Sequence, residues 1–341
     1  MYYTILTSCL SPGRPRLPSG KLAKEPLIND IYTADPSAHV FEGKVYIYPS
    51  HDPDKSESVG GEGGDFNMRD YHVFSLESMD GPVVDHGQVL HVDDVPWAEK
   101  QMWAPDAAFK NNTYYFYFPA KDREGLFRIG VATGSSPSGP FKPEPEPIKG
   151  SYSVDPCVFI DDDGQAYMIF GGLLGGQLEK WSSSAGASSS GGKEAVSLGL
   201  GPRIAKMADS MLEFDGPVRE ILLLDEGGVP IGEGNHSRRY FEGPWMHKYQ
   251  GKYYLSYSTG DTHLIVYAVG SSLAGPFQYQ GLVLKPVIGW TTHHSIIEYK
   301  GKWYIFYHDA SLSGGVDHKR CVKVAELFYN PDGTIRPVTP E

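Results

Sequence analysis

The chain has 341 residues, a formal net charge of -12, and 40% hydrophobic and 13% aromatic residues, enough for a substantial core. The acidic balance argues against nucleic acid or an anionic membrane as partner, since both favour a basic surface. No stretch is long and apolar enough to span a bilayer as a helix, and the three cysteines, Cys9, Cys157 and Cys321, make no disulfide framework.

The N-terminal stretch MYYTILTSCLSPGRPRLPSG lacks the basic and apolar regions of a signal peptide. With the sparse cysteines, this makes a cytoplasmic location the expectation. Residues 1–27 read as an irregular arm, and residues 28–341 as a single catalytic domain. From Leu27 onward, short runs of Tyr, Phe, Val and Ile alternate with Gly, Pro, Asn and Asp, the mark of strands joined by tight turns.

One hairpin pattern recurs along the chain. It opens on a polar or acidic residue, runs through an apolar strand, turns, and returns as an aromatic strand. The copies are TADPSAHVFEGKVYIYPSHD from Thr33, APDAAFKNNTYYFYFPAKD from Ala104, DPCVFIDDDGQAYMIFGG from Asp155, EGPWMHKYQGKYYLSYSTGD from Glu242 and HHSIIEYKGKWYIFYHDAS from His293. Their turns align on Gly43, Asn112, Gly164, Gly251 and Gly301. A tyrosine follows three residues later in each: Tyr46, Tyr115, Tyr167, Tyr254 and Tyr304.

Two further echoes, SSPSGPF (Ser135 to Phe141) and SSLAGPF (Ser271 to Phe277), read as outer turns of equivalent units. GPRIAKMADSMLEF, from Gly201, suits a short helix or a loop. The low-complexity SSSAGASSSGGKE, from Ser182, reads as a surface loop insertion. Five antiparallel repeats predict an all-β fold, a five-bladed β-propeller.

That architecture gathers the inner-strand starts around one axis. They carry Asp35, Asp106, Asp155, Glu242 and the pair His293-His294. Carboxylates gathered in one pocket repel each other, so their recurrence points to chemistry rather than to turn capping. Asp106, one residue later in register beside Pro105, is expected to be a turn or supporting residue. DDDG, from Asp161, is read as a hairpin turn, since it lacks the further spacing of a calcium loop.

Two working carboxyls in an aromatic pocket suit glycoside hydrolysis: one protonates the leaving oxygen, the other activates water or attacks the sugar. Glu242, between Phe241 and Pro244-Trp245, sits where an apolar setting raises its pKa, as a general acid requires. Asp35, in the more polar TADPSAH, is placed to remain ionised. Asp155 would help keep Glu242 protonated.

These stretches, with MWAPDAAF and KRCVKVAELFYNPDGTI, resemble glycoside hydrolase family 43, the five-bladed propeller glycosidases, from about Ile28 to Ile335. The resemblance implies an inverting, exo-acting enzyme with Asp35 as general base, Asp155 as pKa modulator and Glu242 as general acid. It also implies β-xylosidase action on xylo-oligosaccharides, with α-L-arabinofuranosidase activity on arabinose-containing saccharides beside it. Relatives of this type often carry a C-terminal β-sandwich, which no part of this sequence matches.

Trp103 would stack on a sugar face, Arg320 would sit near the base and substrate, and His51 would reach a sugar hydroxyl. His294 is the candidate for substrate contact or for a structural Ca2+ near the axis, with no cofactor required for the chemistry. Ser56 to Asp65 and Leu173 to Ser197 are the expected pocket walls. The first alternative is an α-L-arabinofuranosidase acting on arabinoxylan or arabinan with the same acids; the second is a non-catalytic sugar-binding propeller, which would keep the aromatics while being free to lose an acid.

Overall fold

In a computed structural model, the described residues are 25–55, 58–61, 63–182 and 198–340. Strands dominate them, and the one α-helix among them is the four-residue Glu179–Ser182. The strands form five sheets, one per repeat.

Blade I runs Tyr32–Phe41, Lys44–Asp52, Asp70–Leu76 and Val84–His91. Blade II is built on Asp106–Lys110, Thr113–Asp122 and Phe127–Gly134. Blade III has Cys157–Ile160, Ala166–Phe170, Arg203–Lys206 and Arg219–Glu220. Blade IV has Glu242–Tyr249, Lys252–Ser258, Ile265–Gly270 and Phe277–Leu284. Blade V has His294–Tyr299, Lys302–Asp309 and Cys321–Leu327.

Each predicted hairpin forms, with its turn where the repeat placed it. Four of the turns are two-residue loops with both residues at positive φ: Glu42-Gly43, Asn111-Asn112, Gln250-Gly251 and Lys300-Gly301. That backbone twist matches the right-handed twist of the flanking strands. The aligned tyrosines are buried at 46, 115, 254 and 304 and half-buried at 167. The two GPF echoes are also equivalent. Each follows the third strand of its blade, and Phe141 and Phe277 are both buried against the glycine that ends that strand, Gly134 and Gly270.

The segment from Gly201 is neither helix nor plain loop. Arg203–Lys206 is the third strand of blade III, paired antiparallel with Ala166–Phe170. Its backbone finds ladder partners there that an isolated turn of helix would not supply. The insertion from Ser182 lies almost wholly outside the described residues, as does most of the arm. The arm's last described residues form no strand or helix, yet Leu27 is buried and its N–H bonds to Val322 O at 2.7 Å; Ile28, which opens the domain, is buried as well.

The core lies between blades rather than inside one. Tyr48, Tyr71, Phe116 and Phe118 fill the seam between blades I and II, and Tyr117, Ile129, Met168 and Phe170 that between II and III. A larger cluster joins blades III, IV, V and I. Closure is made by polar contacts as well. Thr33 N–H bonds to Arg320 O, and Ala38 N–H to Ser295 Oγ, both from blade I to blade V. These contacts tie the first repeat to the last and bring residues far apart in sequence to one axial opening.

Candidate active site

Asp35, Asp155 and Glu242 line one cavity of about 260 Å³ at the opening of the propeller. The backbone explains how they reach it. Asp35 has φ 49° at a register shift between Ala34 and Ser37, and Asp155 has φ 58° just before its strand. Glu242 precedes Gly243, at φ 62°, within another register shift. Such bulges re-aim a side chain out of the alternation of a regular strand. Positive φ on aspartate costs energy and persists where the surroundings impose it. Gly243 has a second constraint: a Cβ there would lie 2.8 Å from the His293 ring.

Asp35 is buried and held on every side. Its Oδ1 accepts from Arg320 Nη1 at 3.1 Å, its Oδ2 from Ser50 Oγ at 2.5 Å, and its N–H donates to His308 Nδ1 at 2.9 Å. Burial would raise its pKa, but its neighbours, led by the Arg320 guanidinium, outweigh that and hold it at about 2. Arg320 is in turn clasped by Asp52, with Nε to Oδ2 and Nη2 to Oδ1 both at 2.8 Å. The planar fork fixes the guanidinium, which a lysine could not match.

His308 accepts from Asp35 N–H, and its Nε2 lies 3.0 Å from Thr291 O, so the tautomer is the neutral one protonated on Nε2. Burial, aided by Arg320, drives its pKa to about 3, which keeps it neutral.

The other two carboxyls behave oppositely. Burial, then the charge of Asp35, pushes Glu242 to about 8. Burial, then Glu242, pushes Asp155 well above its usual range. The two titrate as a pair. Gly243 N–H donates to Asp155 Oδ2 at 2.9 Å, which favours the charge on Asp155 and leaves the proton to Glu242.

The walls are largely apolar: Phe66, Met68, Trp103, Leu173, Leu174, Phe241 and Trp290. Trp103 is half-buried; its Nε1 donates to Phe66 O at 2.8 Å, and its ring leans on Phe127 at 4.5 Å. Phe66 also covers the Arg320 guanidinium at 5.0 Å. Of the expected walls, Gly63 and residues 173–176 line the cavity. A further wall includes His293, one of the expected inner-strand starts, with Trp290 and Thr291, which had no counterpart in the sequence expectations.

Trp103 and Arg320 both line the cavity, and two of the expected histidines do not. His51 does not line the cavity; its Nδ1 lies 2.5 Å from Asp70 Oδ1. His294 is fully buried, with Nε2 2.6 Å from Ser256 Oγ. Strand alternation puts its neighbour His293 in the cavity instead, 3.9 Å from Asp155 Oδ2. Asp106 stays out of the cavity: it accepts from Ser37 Oγ at 2.5 Å, from His39 Nε2 at 2.7 Å and from Val158 N–H, which joins blades I, II and III. His308 was missed, although His-Asp closes the second strand in both blade I (His51-Asp52) and blade V (His308-Asp309).

Among the described residues, His294 and Asp106 do not by themselves supply the donor set of the expected axial Ca2+. Calcium takes six to eight oxygens. His294 offers only its unpartnered Nδ1, and the Asp106 carboxylate already accepts from three donors. These residues do not fit a protein-held calcium, and no step below passes through one.

The family model for glycosyl hydrolases family 43 matches residues 85–335. The chain belongs to family 43. Among its relatives in this family, xylosidase/arabinosidase 43A of Humicola insolens is 59% identical over 330 residues, covering 93% of this chain and 99% of that protein. A xylosidase/arabinosidase of Bacteroides ovatus is 50% identical over 316 residues, covering 92% and 97%.

Solved family 43 structures superpose closely. CoXyl43, a β-xylosidase/α-arabinofuranosidase from a compost metagenome described in complex with xylotriose in calcium-free form, has 60% identity and a TM-score of 0.89, covering 93% of this chain and 98% of that one. The GH43_1 enzyme of Xanthomonas citri with xylotriose has 52% identity and a TM-score of 0.87, covering 94% of each. The chain is thus a five-bladed propeller glycoside hydrolase.

Proposed function

We propose that the protein is an inverting, exo-acting β-1,4-xylosidase that releases xylose from xylo-oligosaccharides and also cleaves α-L-arabinofuranosides. The observation that carries this reading is the placement of Asp35, 3.1 Å from the Arg320 guanidinium, and of Glu242, beside Phe241, in one small aromatic cavity. Asp35, held ionised by Arg320, takes a proton from water as that water attacks the anomeric carbon. Glu242, held neutral by burial and its neighbouring acids, gives its proton to the leaving oxygen. Both steps need the groups in these forms at neutral pH.

Asp155 contacts neither reacting atom in this scheme. It modulates Glu242 by charge and is itself positioned by Gly243 N–H. His293 faces the cavity with both ring nitrogens unpartnered and is placed to meet a sugar hydroxyl. A cavity of about 260 Å³ is smaller than drug-sized sites of roughly 300–1,000 Å³, and it suits one sugar ring at the end of a chain. Trp103 offers that ring an apolar face. The names of the Humicola and Bacteroides relatives support both substrates, and xylotriose bound to CoXyl43 supports the xylo-oligosaccharide. The buried free thiols of Cys157 and Cys321 suit a cytoplasmic setting.

The deciding experiment is hydrolysis of xylobiose followed by proton NMR, with an aryl arabinofuranoside in parallel. Xylose released first as the α-anomer is the expected result. First appearance of β-xylose would make Asp35 a nucleophile and overturn inversion. Turnover of the arabinoside alone would keep the acids and move the substrate.

A further inference from the structure

Blade I carries a second cluster of chemistry-bearing side chains outside the cavity. We propose that His51, Asp70 and His72 form a binding site for a divalent transition-metal ion of the zinc class. One ligand atom from each lies within 4.8 Å of the other two, and all three side chains are partly open to solvent. Neither the mechanism nor the core packing uses them.

The sheet explains the grouping. Asp70 and His72 are two apart on one strand and so share a face. Continuing the register Val45↔Leu76, Tyr46↔Ser75 and Ile47↔Phe74 places His51 opposite Asp70. Three ligands therefore project from two adjacent strands onto one side. The His51 and His72 ring centroids are 5.0 Å apart.

The donor set decides the ion. Two imidazoles and one carboxylate suit zinc, cobalt or a similar ion, whereas calcium and magnesium prefer oxygens throughout. Zinc–nitrogen bonds of about 2.0–2.1 Å put ligand atoms of a bound ion roughly 3–3.5 Å apart. Small side-chain rotations bring the cluster to that spacing, and water from the open side completes the shell.

Asp85 supplies the outer support that ligating histidines usually have. Its carboxylate lies 3.2 Å and 3.3 Å from His72 Nδ1, leaving the other ring nitrogen for the ion. Asp85 is itself fixed by Gly87 N–H at 2.7 Å. The adjacent residue, Asp52, clasps Arg320, so an ion here would stiffen the strand that anchors the cavity.

The test uses the full chain, stripped with a chelator and titrated with Co2+, read by visible absorption and by thermal unfolding. We expect one equivalent of Co2+ to give ligand-field bands and raise Tm, with Zn2+ displacing it. His72→Asn and Asp70→Asn should each weaken Co2+ binding at least tenfold while leaving the circular dichroism of the metal-free protein unchanged. His294→Ala should leave binding intact. Absence of bands at one hundred micromolar or so of Co2+ would overturn the proposal. So would binding that survives both blade I substitutions or disappears with His294→Ala. None of these readouts depends on glycosidase activity.

Discussion

At the residue scale, the division of labour between two carboxyls comes from their neighbours. Asp35 and Glu242 are both largely withdrawn from water, and burial alone would raise both. Arg320 reverses the outcome for Asp35 because it reaches that carboxylate at 3.1 Å. The contrast yields a specific expectation about leaving groups. Glu242→Gln removes the proton donor, so hydrolysis of xylobiose should fall by about 10²–10⁴, the usual worth of general acid catalysis. An aryl xyloside with a strongly acidic phenol leaves without protonation, and Glu242→Gln should retain most activity on it. Asp35→Asn should cripple both substrates, because the attacking water still lacks its base. The comparison of kcat on the two substrates checks this. Equal losses in the two variants on the activated substrate would refute the assignment.

At the scale of single elements, the cavity depends on turns and bulges more than on strands. The hairpins and their turns were legible because period, turn residues and tyrosines repeat, and each clue repeats the others. The acids were legible for the same reason, being openers of equivalent strands. The bulges at Asp35 and Gly243 left no such trace, and they shift which neighbour faces inward. In blade V, whose first hairpin has no register shift, the His293-His294 doublet itself left open which ring faces the cavity, and His293 occupies it.

The loops were the least legible element, since nothing local records what a loop packs against. Gly63 shows the point: at φ 70°, a Cβ added there would lie 2.6 Å from the Trp103 ring. Gly63→Ala should therefore displace either the loop or the indole. Overpacking of this kind costs about 1–3 kcal/mol. We expect KM for xylobiose to rise about tenfold with a smaller change in kcat, matching the direction of Trp103→Ala. An unchanged KM in both variants would remove Trp103 from the sugar site.

At the scale of the whole molecule, the propeller closes its ring through the same residues that build the site. Arg320, Thr291 and His308 from blade V meet Asp35 and Asp52 from blade I, so catalysis and closure share one buried polar network. Of this assembly only Arg320 beside the base was expected, through the family resemblance; Asp52, Thr291 and His308 were not, because the partners lie 268 to 285 residues apart and share no local pattern.

The shared network has a consequence for stability. Glu242 has its folded pKa raised to about 8 from an ordinary 4.5. Between those values the folded protein binds a proton that the unfolded chain does not, so stability falls as pH rises through that window. The slope is up to roughly 1.4 kcal/mol per pH unit, divided between Glu242 and the coupled Asp155. Asp35 has the opposite sign, but its folded pKa of about 2 confines its loss of stability to strong acid. Glu242→Gln removes the titration and relieves Asp155 of a like charge. Its Tm should lie close to that of the wild type at pH 5 and exceed it increasingly toward pH 8. A Tm difference that stays constant from pH 5 to 8 would show that Glu242 carries no displaced proton, and the acid role would fall with it.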